Sequence, residues 1–220
     1  MWDSSTTSMI VTGIGETLLM VFFSTIFGYI FGLPLGVILF MSDKDGIKPN
    51  SKLYRVLDII VNIGRSIPFL ILLILIIPFT KLIVGKSYGT VATIVPLTVS
   101  AIPFIGRMVE SSLKEVDKGV IEAAQSMGAS TLTIITRVLL LEARPSLING
   151  ATICLGTIIG YSAMAGTVGG GGLGDIAIRY GYYRYQTDIM IVTVVIIVLL
   201  VQVFQLIGNK LSSSLDKRKK

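Results

Sequence analysis

Long uncharged apolar stretches alternate with short polar segments along most of the chain. A helix needs about 20 mostly apolar residues to cross the hydrocarbon core of a bilayer. Five segments meet this requirement, and the second of them also contains Asp58 and Arg65. The pattern predicts an all-α integral membrane protein, a single transmembrane domain over residues 1–220 with five spans. The predicted spans are about 17–41, 58–80, 87–106, 149–168 and 189–208.

The composition supports a membrane protein, because 52% of the residues are hydrophobic and 15% are charged. A soluble domain needs more charged side chains to solvate its surface. The sequence has no histidine, and Cys154 is its single cysteine. These are the commonest ligands of zinc and haem, so a metal site is not expected. A disulfide within the chain is excluded.

The basic residues predict how the chain is oriented in the membrane. The polar segments before the second span, within 107–148 and after the fifth span contain 14 Lys and Arg residues, whereas those on the opposite side contain four. Cytoplasmic segments carry the excess of basic residues. The C-terminus is therefore predicted to be cytoplasmic and the N-terminus external. The basic residues at 217–220 are interpreted as an anchor on anionic lipid.

One connection, residues 107–148, is long and has the pattern of two short helices. Residues 112–115 (Ser-Leu-Lys-Glu) resemble a capping box. Asp117 is placed to cap a helix that runs to Met127, and Gly128 is placed just after its end. Val120, Ala124 and Met127 share one face of that helix by their spacing.

The second helix of this connection is predicted to have Leu132, Ile135 and Leu139 on one face, and Pro145 marks the approach to the fourth span. One interpretation is that such amphipathic helices lie on the membrane surface. The other is that they dock another protein, because Glu122, Ala123 and Ala124 offer a low-relief surface beside a hydrogen-bonding carboxylate. Both interpretations remain open on the periodicity.

Glu122-Ala123-Ala124, followed by three residues and Gly128, resembles the EAA loop of ABC-importer permeases. The family pattern continues with an apolar residue and leucine, matched by Val138 and Leu140, and then proline. Leu141 stands where the family has that proline. The second helix is therefore expected to run straight through Leu141, with Pro145 providing the break.

Two further segments, residues 62–69 and 160–174, are similar to those of the methionine-uptake branch of these permeases. The resemblance implies the type I ABC-importer permease fold and the permease subunit of a bacterial cell-membrane importer for methionine, which works by alternating access. It implies a homodimer, two cytoplasmic ABC ATPase subunits and an external methionine-binding protein.

The resemblance also implies that this chain is not an enzyme and has no cofactor of its own, because the partner ATPase binds ATP and magnesium. The chain lacks the Gly-x-x-x-x-Gly-Lys-Ser/Thr phosphate loop, which agrees with that division. The residues implied to couple to the ATPase are Glu122, Ala123, Ala124, Met127 and Gly128. No nucleic-acid partner is expected.

The glycines at 169, 171 and 174 match the spacing of a dinucleotide-binding fingerprint. That fingerprint requires a preceding β-strand, whereas these glycines follow a predicted membrane helix on the external side. Dinucleotide binding is therefore disfavoured. Gly169 and Gly170 belong either to a flexible turn or to the hinge of an external gate.

Three side chains of the fourth span are candidates for the pathway. Met164 is either a filler of the packed interior or a plug at the dimer axis. Tyr161 and Ser162 either line the pathway or form hydrogen bonds between helices. Each pair of alternatives remains open at this stage.

Arg65 is a basic residue inside a predicted span, where a charge is costly unless it is paired or hydrated. Its side chain either extends to the cytoplasmic surface or has a role at the cytoplasmic mouth of the pathway. A cluster of tyrosines before the fifth span forms either an interfacial aromatic belt or a contact for the external binding protein. The cluster comprises Tyr180, Tyr182, Tyr183 and Tyr185.

The sequence is also compatible with functions other than methionine import. One alternative is an ABC permease for another amino acid or an osmolyte. A different class is an ATP-independent channel or a structural membrane subunit. A membrane-embedded enzyme is disfavoured because the predicted spans contain no catalytic constellation beyond Asp58 and Arg65.

Overall fold

The computed structural model describes residues 3–215, and this range contains helices and connecting turns without any β-strand. The α-helices are α1 (Ser4–Ser42), α2 (Ser51–Ser66), α3 (Phe69–Leu75), α4 (Ile77–Val84), α5 (Thr90–Lys114), α6 (Lys118–Ser126), α7 (Thr131–Thr133), α8 (Leu140–Glu142), α9 (Arg144–Ala165), α10 (Gly172–Ile176) and α11 (Thr187–Leu215). Two π-helical segments, Ile134–Leu139 and Ala177–Tyr182, and one 3₁₀ turn, Gly166–Val168, complete the helical structure.

The contacts divide the chain into two compact units. Unit 1 comprises Met1–Gly28, Ile67–Ala101 and Leu155–Phe204, and unit 2 comprises Tyr29–Ser66, Ile102–Cys154 and Gln205–Lys220. The large side chains buried in unit 1 are Met20, Val21, Leu97, Ile158, Ile159 and Leu173. Those buried in unit 2 are Leu39, Ile105, Leu113, Ile134, Leu139 and, unexpectedly for a charged residue, Glu110.

Four helical stretches of the described chain are long and apolar enough to cross a membrane: Ser4–Ser42, Thr90–Lys114, Arg144–Val168 and Thr187–Leu215. A fifth is reached if α2 and α3 are counted together, although they are bent by 101° at their junction. Pro68 explains the break, because proline has no N–H to donate and disfavours helical geometry in the residue before it. The region predicted as the second span, 58–80, therefore comprises parts of three helices rather than one.

Helix α11 is apolar on all sides, and 11% of its most apolar window is buried. Ile191, Val198 and Leu206 are among its exposed side chains, at 58%, 52% and 67%. A helix that is apolar all round needs an apolar environment. Lipid or a second subunit provides such an environment, whereas water does not.

Helix α5 extends to Lys114, eight residues beyond the predicted end of the third span at 106. The prediction of a capping box at residues 112–115 is therefore wrong, because Ser112 lies inside a helix whose backbone N–H groups are already paired. The buried Ser112 hydroxyl instead accepts a hydrogen bond from Ser146 at 3.0 Å.

The predicted apolar face of the second loop helix is also wrong in part. Ile134 and Leu139 are buried at 2% and 0% exposure, whereas Leu132 is 69% exposed. The reason is the π-helical segment Ile134–Leu139, whose i→i+5 hydrogen bonds widen the turn and change which positions align. A pattern based on 3.6 residues per turn does not anticipate this shift.

The break near Pro145 is confirmed. Leu141 lies inside α8, and the chain turns at Ala143 before α9 begins at Arg144. Pro145 is thus the second residue of α9, where a missing N–H costs nothing because first-turn N–H groups have no partner in the helix.

Candidate functional site

Helix α6 begins where the sequence predicts. Asp117 is its N-cap residue, and the carboxylate accepts a hydrogen bond of 2.6 Å from the backbone N–H of Gly119. This bond satisfies one of the N–H groups that have no partner in the first turn. This end of α6 is therefore defined by its own sequence.

The end of α6 is a Schellman turn centred on Gly128. Gly128 donates its N–H to the Gln125 carbonyl at 2.9 Å, and Ala129 donates to the Ala124 carbonyl at 3.1 Å. Gly128 has φ +77°, a conformation that favours glycine, so its prediction as the residue after the helix is confirmed. A side chain there would meet nothing within 4 Å, so the constraint is on the backbone alone.

The side chains of α6 divide by burial. Ala124 is buried at 5% exposure, whereas Glu122 and Ala123 are exposed and Met127 is 81% exposed. Of Val120, Ala124 and Met127, which are predicted by their spacing to share one face, Ala124 alone is buried. An exposed methionine beside two small residues and a carboxylate leaves a surface without a partner within residues 3–215.

A chain of ion pairs lies at the base of the loop, within unit 2. The Glu110 carboxylate is 1% exposed and accepts hydrogen bonds from Arg107 Nη1 at 2.7 Å and Lys114 Nζ at 2.8 Å. Arg107 also pairs with Asp58 of α2, and Lys114 pairs with Asp43 at 2.7 Å. Five charges thus link the segment after α1, helix α2 and helix α5.

Neutral groups of α2 complete this ion-pair network. Tyr54 donates its hydroxyl to Glu110 at 3.1 Å, and Asn62 accepts from Arg107 at 3.0 Å. A buried carboxylate is stable only when its charge is paired and its oxygens are hydrogen-bonded, and three donors meet that need here. Helix α5 continues to α6 through Glu115, Val116 and Asp117, so the network holds the helix from which the loop emerges.

Sequence reasoning missed this network. The signal available was the spacing of Arg107, Glu110 and Lys114 at i, i+3 and i+7, which puts all three on one helix face. The hydropathy pattern places 107–114 in the loop, whereas the structure places these residues in α5. The same network pairs Asp58, a charged residue of the predicted second span, with Arg107.

Arg65 lies in the last turn of α2, and its side chain is exposed. Its role at the cytoplasmic mouth stays a prediction.

The Asp43–Lys114 pair makes stability depend on pH. The hydrogen bond from Lys114 lowers the pKa of the Asp43 carboxyl below its usual value. Since this pKa is lower in the folded chain, the pair contributes stability above about pH 4, the unfolded value, and loses it as the pH falls through the folded pKa.

We therefore expect Asp43→Asn to lower the melting temperature at pH 7 and to lie progressively closer to the parent as the pH falls below about 4, measured by thermal unfolding in detergent. Asp45→Asn is the matched control, because the Asp45–Lys118 pair is longer, at 3.6 Å, and both side chains are mostly exposed. A difference between Asp43→Asn and the parent that persisted at low pH would contradict the assignment.

The pathway candidates of α9 lie in unit 1. Tyr161 stacks on Phe69, the first residue of α3, with ring centroids 4.6 Å apart and an interplanar angle of 1°. Ser162 is buried and donates to the Ile159 carbonyl of its own helix at 2.8 Å, so that bond does not join two helices. Met164 is 50% exposed, which disfavours a role as a filler of this chain's own interior.

The glycine segment, residues 169–172, joins the end of α9 and its 3₁₀ turn to α10. Gly89 donates its N–H to the Gly169 carbonyl at 2.9 Å, and Thr93 donates its hydroxyl to the Gly170 carbonyl at 3.1 Å. Both partners lie at the start of α5. The segment is therefore anchored by polar contacts, and helices rather than a strand flank it.

The tyrosines before α11 lie on and after the second π-helical segment. Tyr182, Tyr183 and Tyr185 are 63%, 67% and 88% exposed, and Arg184 lies 4.5 Å from the centre of the Tyr180 ring. An aromatic belt and a protein contact both fit this exposure.

Within residues 3–215, no group of three or more His, Cys, Asp or Glu residues is placed to hold a metal ion.

The family of Binding-protein-dependent transport system inner membrane components matches residues 28–220. The Probable D-methionine transport system permease protein MetI of Vibrio cholerae is 54% identical over 217 residues, which cover 99% of this chain and 96% of that protein. The D-methionine transport system permease protein MetI of Escherichia coli strain K12 is 55% identical over 158 residues, 72% of this chain and 73% of that protein.

Solved structures show the same fold. A chain from inward-facing conformations of the MetNI methionine ABC transporter superposes with a TM-score of 0.96 at 49% identity, covering 98% of this chain and 100% of that one. An amino acid ABC transporter superposes with a TM-score of 0.72 at 20% identity, which extends the fold to more distant proteins. The fold is thus that of the type I ABC permeases. The chain belongs to the family of binding-protein-dependent transport system inner membrane components.

Proposed function

We propose that this chain is the permease subunit of an ATP-driven importer that moves methionine across the bacterial inner membrane. The observation that carries the proposal is the similarity to the MetNI methionine ABC transporter over 98% of this chain. The D-methionine permease relatives support the same cargo, since the first of them covers 99% of the chain.

The importer contains two copies of this chain, two ABC ATPase subunits and an external methionine-binding protein. The ATPase subunits bind ATP and magnesium and hydrolyse the nucleotide, so this chain performs no catalysis. The exposed apolar side chains of α11 and α1 support contact with lipid and with a second copy.

The chain forms one transmembrane domain over residues 1–220, with the N-terminus outside and the C-terminus in the cytoplasm. The excess of basic residues before the second predicted span, within 107–148 and after the fifth predicted span supports this orientation. Residues 217–220, proposed as a lipid anchor, lie outside the described residues. Residues 107–148 connect the membrane domain to the ATPase.

Glu122, Ala123, Ala124, Met127 and Gly128 form the contact with the ATPase. Support comes from the surface of α6, on which Met127 is 81% exposed and Glu122 and Ala123 are exposed. Closure of the two ATPases on ATP moves α6 and, through α5, opens the permease to the outside. Hydrolysis returns it to the inward-facing state, as alternating access requires.

Tyr161, Ser162, Met164, Gly169 and Gly170 contribute to the pathway and its external gate. Arg65 lies at the cytoplasmic mouth. The exposed Met164 supports a contact outside this chain's own core, and a second copy at a shared axis provides one. A thioether side chain fits an apolar constriction and makes favourable contacts with aromatic rings.

Uptake into proteoliposomes tests the proposal. The chain, reconstituted with its ATPase and binding protein, is expected to accumulate labelled methionine with ATP and not with a non-hydrolysable analogue. Uptake of betaine or another amino acid in place of methionine would contradict the cargo. Cargo flux without ATP would instead indicate a channel.

A further inference from the structure

Glu16 is the one charged side chain of α1, a helix of 39 residues that is otherwise apolar or weakly polar. A carboxylate in such a helix carries a desolvation cost and persists where it has a specific partner. Its partner here is backbone, because Glu16 Oε2 accepts a hydrogen bond of 2.6 Å from the N–H of Gly172. The predicted first span, which began at residue 17, left this residue out.

Thr17 makes the neighbouring contact. Its hydroxyl accepts a hydrogen bond of 2.9 Å from the N–H of Leu173. Thr17 is 3% exposed and Leu173 is fully buried. Consecutive residues of α1 therefore bind consecutive backbone N–H groups at the start of α10, all within unit 1.

The space around the glycine segment shows how closely α1 and α5 approach it. A Cβ atom on Gly172 would lie 2.6 Å from Thr17 Oγ1, and one on Gly171 would lie 2.6 Å from Thr90 Oγ1 and 3.1 Å from Glu16 Oε2. Both glycines also have positive φ, at +75° and +82°. Gly171 and Gly172 thus serve close approach to α1 and α5, whereas a Cβ atom on Gly169 would meet nothing within 4 Å.

We propose that Glu16 and Thr17 form a clamp that holds the glycine segment closed, with Glu16 as a positioning residue for the external gate. The segment moves only when the N–H groups of Gly172 and Leu173 leave their acceptors on α1. The gate therefore opens by a discrete release rather than by flexing of the glycines. The assignment to a gate rests on the proposed function, whereas the clamp rests on contacts within this chain.

Cysteine labelling tests the clamp without any transport. The full chain carries Cys154→Ser and Leu173→Cys, is placed in lipid nanodiscs, and reacts with a water-soluble maleimide. Glu16→Ala removes the acceptor, so the labelling rate at position 173 is expected to rise about tenfold, the order expected for losing a hydrogen bond to a charged group. Glu16→Gln keeps an acceptor oxygen and is expected to remain within about threefold of the parent.

Two controls separate release of the segment from general unfolding. Asp188→Ala removes an exposed carboxylate from the same unit and is expected to leave labelling unchanged. A second reporter, Leu97→Cys in place of Leu173→Cys, monitors the fully buried interior of unit 1. Thr17→Val is expected to raise labelling at 173 without raising it at 97.

The labelling rates at positions 173 and 97 together decide whether the clamp exists. Raised labelling at 173 with protection at 97, reversed in Glu16→Gln, supports the clamp. Equal labelling in Glu16→Ala and the parent would overturn it, and so would raised labelling at both positions, because Glu16 would then hold the helix packing as a whole. A failure of methionine uptake leaves the labelling result intact, so the clamp and the proposed function fail separately.

Discussion

Glu110→Ala is expected to lower the free energy of unfolding by about 3 kcal/mol, the lower end for breaking a buried ion pair. The carboxylate is 1% exposed and is the shared partner of Arg107 and Lys114, so its removal leaves two cations facing each other across a cavity. The loss is not larger because Asp58 and Asp43 still neutralise Arg107 and Lys114. The side chains of these two cations are also partly exposed to solvent.

The measurement is thermal or denaturant unfolding of the purified chain in detergent. Glu110→Gln keeps the shape and one acceptor oxygen, so its loss of stability is expected to be smaller. Asp45→Ala is the control, because the exposed pair with Lys118 is expected to contribute less than about 1 kcal/mol. Equal stability of Glu110→Ala and Asp45→Ala would show that the network is not what holds the base of the loop.

Gly128→Val is expected to prevent productive association with the ATPase. The residue has φ +77°, and a β-branched residue there costs roughly 1–3 kcal/mol of backbone strain. The strain is relieved by unwinding the Schellman turn, which moves the exposed Met127 and the end of α6. A contact surface built on that turn then loses its shape.

Copurification of the ATPase and ATP hydrolysis stimulated by binding protein measure this effect. Gly128→Asn is the matched control, because asparagine tolerates the left-handed conformation better than other side chains and nothing lies within 4 Å to obstruct it. Full assembly and full stimulated hydrolysis in Gly128→Val would contradict the coupling role of the turn.

The loop illustrates where sequence reasoning succeeds. Asp117 and Gly128 mark the two ends of α6 because a carboxylate at an N-cap and a glycine after a helix satisfy local backbone groups. Such signals depend on neighbours within a few residues. For the same reason Pro145 marked the start of α9 correctly.

The two local predictions that were wrong in the loop have a common physical cause. Residues 112–115 match the sequence pattern of a capping box, yet α5 continues to Lys114. Buried residues of its last turns, such as Leu113 and Glu110, favour the helix. The predicted apolar face of Leu132, Ile135 and Leu139 requires a regular α-helix. The π-helical segment changes which of these side chains lie on the same face. In each case tertiary packing overrode a local preference.

The sequence by itself determined the membrane class of the protein, its apolar helices, its family and the limits of α6, since hydropathy, composition and capping act locally along the chain. Tertiary structure decided the partners of its charged side chains. Glu110 gains Tyr54 from 56 positions away, and Glu16 reaches Gly172 across 156 positions. No periodicity encodes such pairings, because they depend on which helix faces pack together.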